Sequence, residues 1–228
     1  MRRVLALGAA VAFVAISGCG GNGGPAPEDV VRESADATQE VRSFHFRFDS
    51  EGIPPSTTGL QLLGAEGDAL VPDRVRAEVS GTFAGVPLTT ELVAISADVW
   101  IKDPLEGRWR AIDVGTTPSF LLDPVEGVLG VMRRVSDLRD EGREEIAGVE
   151  ALKLRGTVAV EDVAPLFAVA PGNGRVEATL WIGADDRILR RVEVRGPVAS
   201  GEGEEALRAV EISRLDEPVT IEAPEASS

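Results

Sequence analysis

The chain has 228 residues and a formal net charge of −15, with 38 acidic and 23 basic side chains. This excess of negative charge repels nucleic acid phosphates and anionic lipid headgroups, so both are excluded as electrostatic partners. The single cysteine excludes an intramolecular disulfide, and the single histidine excludes a metal site with two histidine ligands.

The N-terminus has the three zones of a removable export signal. Arg2 and Arg3 form a positive segment, and the uncharged apolar stretch 4–16 is too short to span a membrane but typical of a signal peptide. An aliphatic residue and two small residues then precede Cys19, in the order recognised by lipoprotein signal peptidase. We therefore predict that residues 1–18 are removed and that Cys19 receives a diacylglycerol anchor and further acyl chains such as palmitate. The alternative is an ordinary signal peptide followed by a chance cysteine.

The Gly-rich segment 19–27 is predicted to be a flexible tether to a domain over residues 28–221. A helix is predicted from Pro27 to Val41, with proline at its first position and acidic residues in its first turn. From Ser43 to Asp49 the hydrophobic period becomes that of a strand. One face of this strand carries three of the seven phenylalanines, namely Phe44, Phe46 and Phe48.

Alternating apolar residues continue as short strands interrupted by glycines, which are typical of bulges and bends in a curved sheet. In one of them, Val75, Val79 and Phe83 share a face. The last two strands of this series form a hairpin. The predicted strands are 60–63, 69–71, 74–83, 86–94, 97–102 and 108–112.

A second helix is predicted to begin at Asp123–Pro124, where aspartate suits the cap and proline the next position. The stripe of apolar residues on this helix is Val125, Val128, Leu129, Met132 and Val135.

The second half of the chain returns to strand-like patterns. Ten or eleven strands in all, without a βαβ rhythm, predict an α+β fold whose sheet is mostly antiparallel. Residues 222–228 are predicted to be a disordered tail. The predicted elements are strands at 138–146 and 149–160, a short helix near 162–169, a hairpin of 175–183 and 187–196, and a last strand near 206–215.

Residue patterns typical of catalysis are nearly absent. His45 lies on the polar face of its strand, where an exposed side chain is expected more often than a catalytic one. Asp185 and Asp186 are expected to form a hairpin turn, with calcium binding as the alternative. The acidic pairs 144–145 and 204–205 indicate solvated faces rather than the carboxylate pair of a glycosidase. The three tryptophans are expected to pack, with sugar stacking as the alternative. We therefore expect no enzyme, no metal and no cofactor beyond the acyl anchor.

Five segments, in this order along the chain, resemble the mycobacterial LppX/LprA/LprF/LprG lipoprotein family. The resemblance implies a strongly curved antiparallel sheet, a half-barrel similar to that of the LolA/LolB lipoprotein carriers, with helices covering its concave face. It also implies a large apolar cavity that binds acylated lipids or glycolipids for transport across the cell envelope, and it brings no catalytic residues. The segments are the lipobox at Cys19 and residues 99–104, 178–186, 189–192 and 218–224.

Candidate lining residues of that cavity are apolar side chains with small residues between them, which leave room for a ligand. The same side chains would fill a closed core equally well, so the alternative is a non-catalytic envelope interaction or chaperone lipoprotein. We expect a monomer anchored at the outer face of the cytoplasmic membrane, whose partners are the lipid or glycolipid ligand and an envelope lipid transporter. The candidate residues are Phe44, Phe46, Phe48, Val75, Val79, Phe83, Val128, Met132, Leu180 and Ile182.

Overall fold

The computed structural model describes residues 24–55, 60–112, 124–167 and 169–225. The predicted signal peptide, the lipobox with Cys19, the predicted cap Asp123 and residues 226–228 of the predicted tail lie outside these ranges. Residues 222–225 form neither helix nor strand. No helix in the described ranges is long and apolar enough to cross a bilayer.

Three short helices lie in the described part of the chain, and they largely match the predicted ones. They are α1 (Pro27–Gln39), α2 (Pro124–Met132) and α3 (Val160–Val163), which continues as a 3-10 turn at Ala164–Phe167. Acidic residues in the first turn of α1 complement the helix dipole, as predicted. The prediction for α3 placed its start too late, and Val135 lies beyond the end of α2, although it is buried.

In the described ranges, eleven strands form one sheet. The two short strands predicted at 60–63 and 69–71 are wrong, because they form a single strand, β2, whose register shift between Leu62 and Gly64 takes up the irregularity. The strands are β1 (Ser43–Glu51), β2 (Leu60–Leu70), β3 (Arg74–Phe83), β4 (Val86–Ile95), β5 (Asp98–Lys102), β6 (Trp109–Ile112), β7 (Ser136–Ile146), β8 (Val149–Ala159), β9 (Arg175–Gly183), β10 (Leu189–Arg195) and β11 (Leu207–Ser213).

The sheet consists of two antiparallel meanders, β1–β6 and β7–β11, placed side by side. They join where β1 pairs with β11, with His45 opposite Ser213 and Glu51 opposite Leu207. The order is therefore β6-β5-β4-β3-β2-β1-β11-β10-β9-β8-β7, and the sheet is not closed. Strand β1, which carries the three phenylalanines, lies at its centre.

The sheet curves around its apolar face. Ten strand spacings of about 4.8 Å would make a flat sheet about 48 Å wide, whereas α1 and α2 are about 20 and about 14 Å long. Even so, Leu92 on β4 and Leu154 on β8 belong to one buried cluster with residues of all three helices. The short helices therefore cover the concave face of a half-barrel, as the resemblance implied.

Strand β2 approaches its neighbour so closely that Gly67 is required. A Cβ atom at Gly67 would lie 2.1 Å from the backbone oxygen of Arg76 and 2.8 Å from the Cβ of Ala77. Atoms do not approach this closely without displacement of the backbone. A side chain at this position would therefore force β2 and β3 apart beside the centre of the sheet.

Candidate functional site

The concave face is apolar, and its centre alternates bulky with small side chains. Phe44, Phe46 and Phe48 on β1 are 4%, 2% and 1% exposed. The residues directly opposite them on β2 are small, namely Ala69, Gly67 and Ala65. Because bulky rings stand beside a row of small residues, the helices and the 3-10 turn must supply the side chains that cover this part of the face.

Eight of the ten candidate lining residues meet in one buried cluster on this face. Besides the three phenylalanines, they include residues of β3, α2 and β9, so the cluster extends from one meander to the other. These five are Val75, Val79, Met132, Leu180 and Ile182.

Two candidate residues are not part of this cluster as described. Phe83 shares the face of Val75 and Val79 by alternation, but it lies at the end of β3, where the strand leaves the cover of the helices and 59% of the residue is exposed. Phe83 therefore lies outside the buried cluster, and its place in a lipid cavity stays a prediction. Val128 belongs to α2, and the position of its side chain lies outside the described part of the structure.

An apolar cavity lies between the sheet and the elements that cover it. It has about 10 Å³ of space for the centre of a water molecule. That is room for about one water molecule, whereas sites for drug-sized ligands have volumes of about 300–1,000 Å³. Its lining residues come from α2, the 3-10 turn, β10 and β11: Val131, Leu166, Phe167, Val192, Val194, Arg208 and Val210.

None of these seven lining residues was among the sequence candidates. The alternation of Val192 with Val194 on β10 does place both on one face, and the same period places Arg208 beside Val210 on β11. The sequence therefore did contain a pattern that identifies the lining residues of β10 and β11. The 3-10 turn gave none, because a residue such as Phe167 has no strand or helix period to reveal the side it faces.

Phe167 closes this cavity toward the centre of the sheet. Its ring stacks on Phe48, with ring centroids 5.7 Å apart and an interplanar angle of 23°. The guanidinium carbon of Arg208 lies 5.1 Å from the centroid of the same ring. The aromatic ring is thus held between the central strand and a positive charge.

Arg208 and Glu202 form an ion pair inside this region, with side-chain exposures of only 4% and 5%. Both terminal nitrogens of Arg208 donate to the Glu202 carboxylate, the NH1 contact being 3.0 Å. The carboxylate also accepts the backbone N–H groups of Val198 at 2.9 Å and Ala199 at 3.0 Å. Burial raises the pKa of Glu202, but these hydrogen bonds outweigh it and hold the pKa below its ordinary value.

The convex face is polar and carries the single histidine. His45 Nδ1 lies 2.9 Å from the Asp68 carboxylate, and Nε2 lies 3.3 Å from the Glu66 carboxylate. Arg214 also contacts His45. His45 lies on the polar face as interpreted, but its side chain is only 17% exposed, because these three charged partners surround it, so the expected exposed side chain is wrong. The described residues hold no group of acidic, histidine or cysteine side chains suited to a metal ion.

Asp186 stabilises the turn between β9 and β10, as expected. Its Oδ1 accepts the backbone N–H of Ile188 at 3.0 Å, and its carboxylate also pairs with Arg190. Because these partners already use the carboxylate, the turn interpretation of this acidic pair is favoured over calcium binding.

Trp181 is a packing residue of the convex face. The residue is 5% exposed, and its Nε1 donates to Glu144 at 3.0 Å. The Lys153 Nζ lies 5.2 Å and the Arg191 guanidinium carbon 5.3 Å from the centroid of the indole. The low exposure of the residue and its contacts with these charged neighbours favour the packing interpretation. The hydrogen bond from Trp181 and then the contact with Lys153 lower the pKa of Glu144.

Comparison with known proteins points to one family and one fold. The LppX_LprAFG lipoprotein family matches residues 26–221. The chain is 26% identical over 198 residues to the lipoarabinomannan carrier protein LprG of Mycolicibacterium smegmatis, covering 81% of this chain and 82% of the relative. It is 28% identical over 233 residues to LprG of Mycobacterium leprae, covering 95% and 92%. The crystal structure of LprF from Mycobacterium bovis superposes with a TM-score of 0.67 at 20% identity, over 89% of this chain and 99% of the other.

Proposed function

Because the chain belongs to the LppX_LprAFG lipoprotein family, with residues 26–221 matching it, we propose that it is a non-catalytic carrier of acylated lipids or glycolipids. The observation that carries this proposal is the continuous apolar interior, which extends from the phenylalanines of β1 to both meanders under a cover of short helices. Two relatives bear the name of lipoarabinomannan carrier. An apolar interior of this extent matches the acyl chains of such a ligand rather than its polar headgroup.

The acyl chains are proposed to enter beside the small cavity, between the sheet and the elements α2, α3 and the 3-10 turn. The sheet is a continuous ladder of eleven strands, whereas the covering elements have nine, four and four residues. Short elements held by a few side chains open more readily than a paired sheet. Separation of Phe167 from Phe48 would widen the cavity from the size of a water molecule toward the size of an acyl chain.

The predicted acyl anchor on Cys19 would hold this opening close to a membrane, and the membrane would supply the lipid. Two or three acyl chains hold a protein at a membrane stably, whereas one chain gives only marginal binding. In this proposal the domain is exported and tethered at the outer face of the cytoplasmic membrane, where it loads lipid and carries it across the envelope to a transporter or acceptor. The strongly acidic domain then depends on the covalent anchor for its membrane contact, because charge does not attract it to anionic lipid.

A second candidate function is a non-catalytic interaction or chaperone lipoprotein. The observation that favours it is the size of the described cavity, which holds about one water molecule. In that case the apolar interior is a permanently filled core and the polar convex face is the working surface.

Native mass spectrometry of the Cys19→Ala protein, before and after organic extraction, separates the two functions. We expect lipid adducts that extraction removes and that return when a fluorescent fatty acid is added. Val192→Phe fills the cavity and should weaken uptake, while Val86→Phe, at a position that is 66% exposed, is the matched control and should leave uptake unchanged. The absence of both bound lipid and uptake would contradict the carrier and leave the interaction protein.

A further inference from the structure

The buried ion pair of Arg208 and Glu202 borders the apolar cavity. Arg208 belongs to β11 and shares the concave face with Val210, so its side chain lines the cavity directly. Burial of two opposite charges removes both from water, and their attraction does not by itself repay that loss. Its placement against a cavity rather than in a packed core indicates a role beyond stabilisation.

Glu202 reaches this position from a loop and not from the sheet. It lies between β10 and β11, in a segment where Gly196 and Gly201 both have positive φ, at +118° and +90°. Its carboxylate is held by Arg208 and by two backbone N–H groups of the same loop. The counterion of Arg208 is therefore carried by a loop outside the eleven-stranded ladder, and this loop is tied to residues 171–172 by one isolated bridge, between Ala199 and Pro171.

A second polar group faces the same place without a partner. Ser50 stands directly opposite Arg208 in the β1–β11 ladder, where facing residues have Cβ atoms about 5 Å apart. Its hydroxyl oxygen is buried and has no hydrogen-bond partner among the described residues. A buried hydroxyl without a partner is unfavourable, and next to a guanidinium it is suited to bind the oxygen of an anion.

We propose that Arg208 and Ser50 form the binding site for the anionic group, a phosphate or carboxylate, of an acylated ligand whose chains occupy the interior. This inference rests on the proposed carrier function and specifies its ligand class. The planar guanidinium binds phosphate and carboxylate groups through paired N–H donors, and the Ser50 hydroxyl donates a further hydrogen bond. Glu202 holds this place in the ligand-free protein and leaves with its loop when the ligand enters.

This exchange makes the site selective for charge. A ligand with an anionic headgroup replaces the carboxylate that it displaces, so Arg208 keeps a counterion throughout. A neutral ligand offers no replacement for the carboxylate, so Glu202 stays on Arg208 and the ligand gains no contact with the guanidinium, because a buried charge left without its partner is strongly unfavourable. Phe167, whose ring lies against the same guanidinium, separates the headgroup site from the acyl chains and moves with them.

The test compares two lipids with identical acyl chains, phosphatidylglycerol and diacylglycerol, on the Cys19→Ala protein. We expect phosphatidylglycerol to bind about tenfold or more tightly, the effect of hydrogen bonds to a charged group. Glu202→Gln removes the competing charge, so it should increase phosphatidylglycerol affinity and leave diacylglycerol affinity unchanged. The double variant Glu202→Gln/Arg208→Gln keeps a neutral pair and should bind both lipids equally.

Controls keep the result decisive. The double variant Arg143→Gln/Glu150→Gln neutralises a pair with side chains 59% and 63% exposed, and should preserve the preference for phosphatidylglycerol. Circular dichroism establishes that each variant is folded. If the double variant with Arg208→Gln is not folded, Glu202→Gln alone decides, through tighter binding of phosphatidylglycerol at unchanged affinity for diacylglycerol.

Each remaining outcome has one meaning. Equal binding of both lipids by the unsubstituted site, or a preference that survives in the double variant, would overturn this inference while the carrier function stands. Failure to bind either lipid would overturn the carrier function itself. Displacement of phosphatidylglycerol by millimolar inorganic phosphate would assign the site to free phosphate, whereas resistance to phosphate supports a lipid headgroup.

Discussion

Replacement of Phe167 by alanine tests the packing of the 3-10 turn onto the sheet. The residue is 9% exposed, and its ring stacks on Phe48 and lies beneath the Arg208 guanidinium. Buried phenylalanine to alanine substitutions reduce the free energy of unfolding by about 3–5 kcal/mol. Because one side of the ring already borders a cavity, we expect a loss near the lower limit, about 3 kcal/mol. For a domain of this size, that lowers the midpoint of thermal unfolding by about 6–12 °C.

Urea titration followed by circular dichroism measures this loss. Phe83→Ala is the matched control, since the same side chain is removed where the residue is 59% exposed, and it should change the free energy by less than about 0.5 kcal/mol. Equal losses for the two variants, or a loss below about 1 kcal/mol for Phe167→Ala, would refute the packing of the turn onto β1. The variant should also take up a fluorescent fatty acid faster than the unsubstituted protein, because the ring that closes the cavity is gone.

Three further expectations concern stability. The depressed pKa of Glu202 stabilises the fold above its ordinary value of 4.5, and this contribution disappears as the pH falls through the lower folded value. Urea midpoints measured from pH 6 to pH 3 should therefore fall less steeply for Glu202→Gln, and parallel curves would contradict the role of the carboxylate. Gly67→Ala should lower the free energy of unfolding, measured by chemical denaturation, by more than about 2 kcal/mol, because the new Cβ would meet the backbone of β3. Gly24→Ala is the control and should leave this free energy unchanged, since no atom lies within 4 Å of its Cβ. The buried backbone N–H of Leu189 donates to Thr38 Oγ1 at 3.0 Å. Thr38→Val removes this acceptor and should lower the free energy of unfolding by about 1–3 kcal/mol, while Thr38→Ser keeps a hydroxyl and should retain most of that stability.

The fold could be predicted from the sequence wherever a single hydrophobic period continued without interruption. Phe44, Phe46 and Phe48 alternate without interruption, and they are indeed the buried face of the central strand. Strand β2 was divided in two because glycines at positions 64 and 67 interrupt its pattern. The reason is physical: these glycines permit a bulge and a close approach to β3, and the contact that requires them lies on another strand.

The candidate site was predictable in its apolar part and not in its polar part. Arg208 shares the face of Val210 and Ile212 by simple alternation, so its burial had a signal in the sequence. Its partner had none, because Glu202 belongs to a Gly-rich loop where acidic residues usually indicate solvent exposure. What places Glu202 inside is a set of hydrogen bonds to Arg208 and to its own loop, which depend on the folded backbone and not on any residue period.

The pairing of β1 with β11 has a consequence for how the chain acquires its structure. These two strands are neighbours in space but stand at opposite ends of the domain, with Glu51 opposite Leu207. Until the last strand has been synthesised, one edge of β1 stays unpaired and its phenylalanine face lacks half of the sheet that surrounds it. Loop closure over such a distance is slow, because entropy is lost before the contacts form. Completion of the half-barrel therefore waits for its final strand, and a chain shortened before Leu207 would present an unpaired edge and an apolar face at the centre of the molecule.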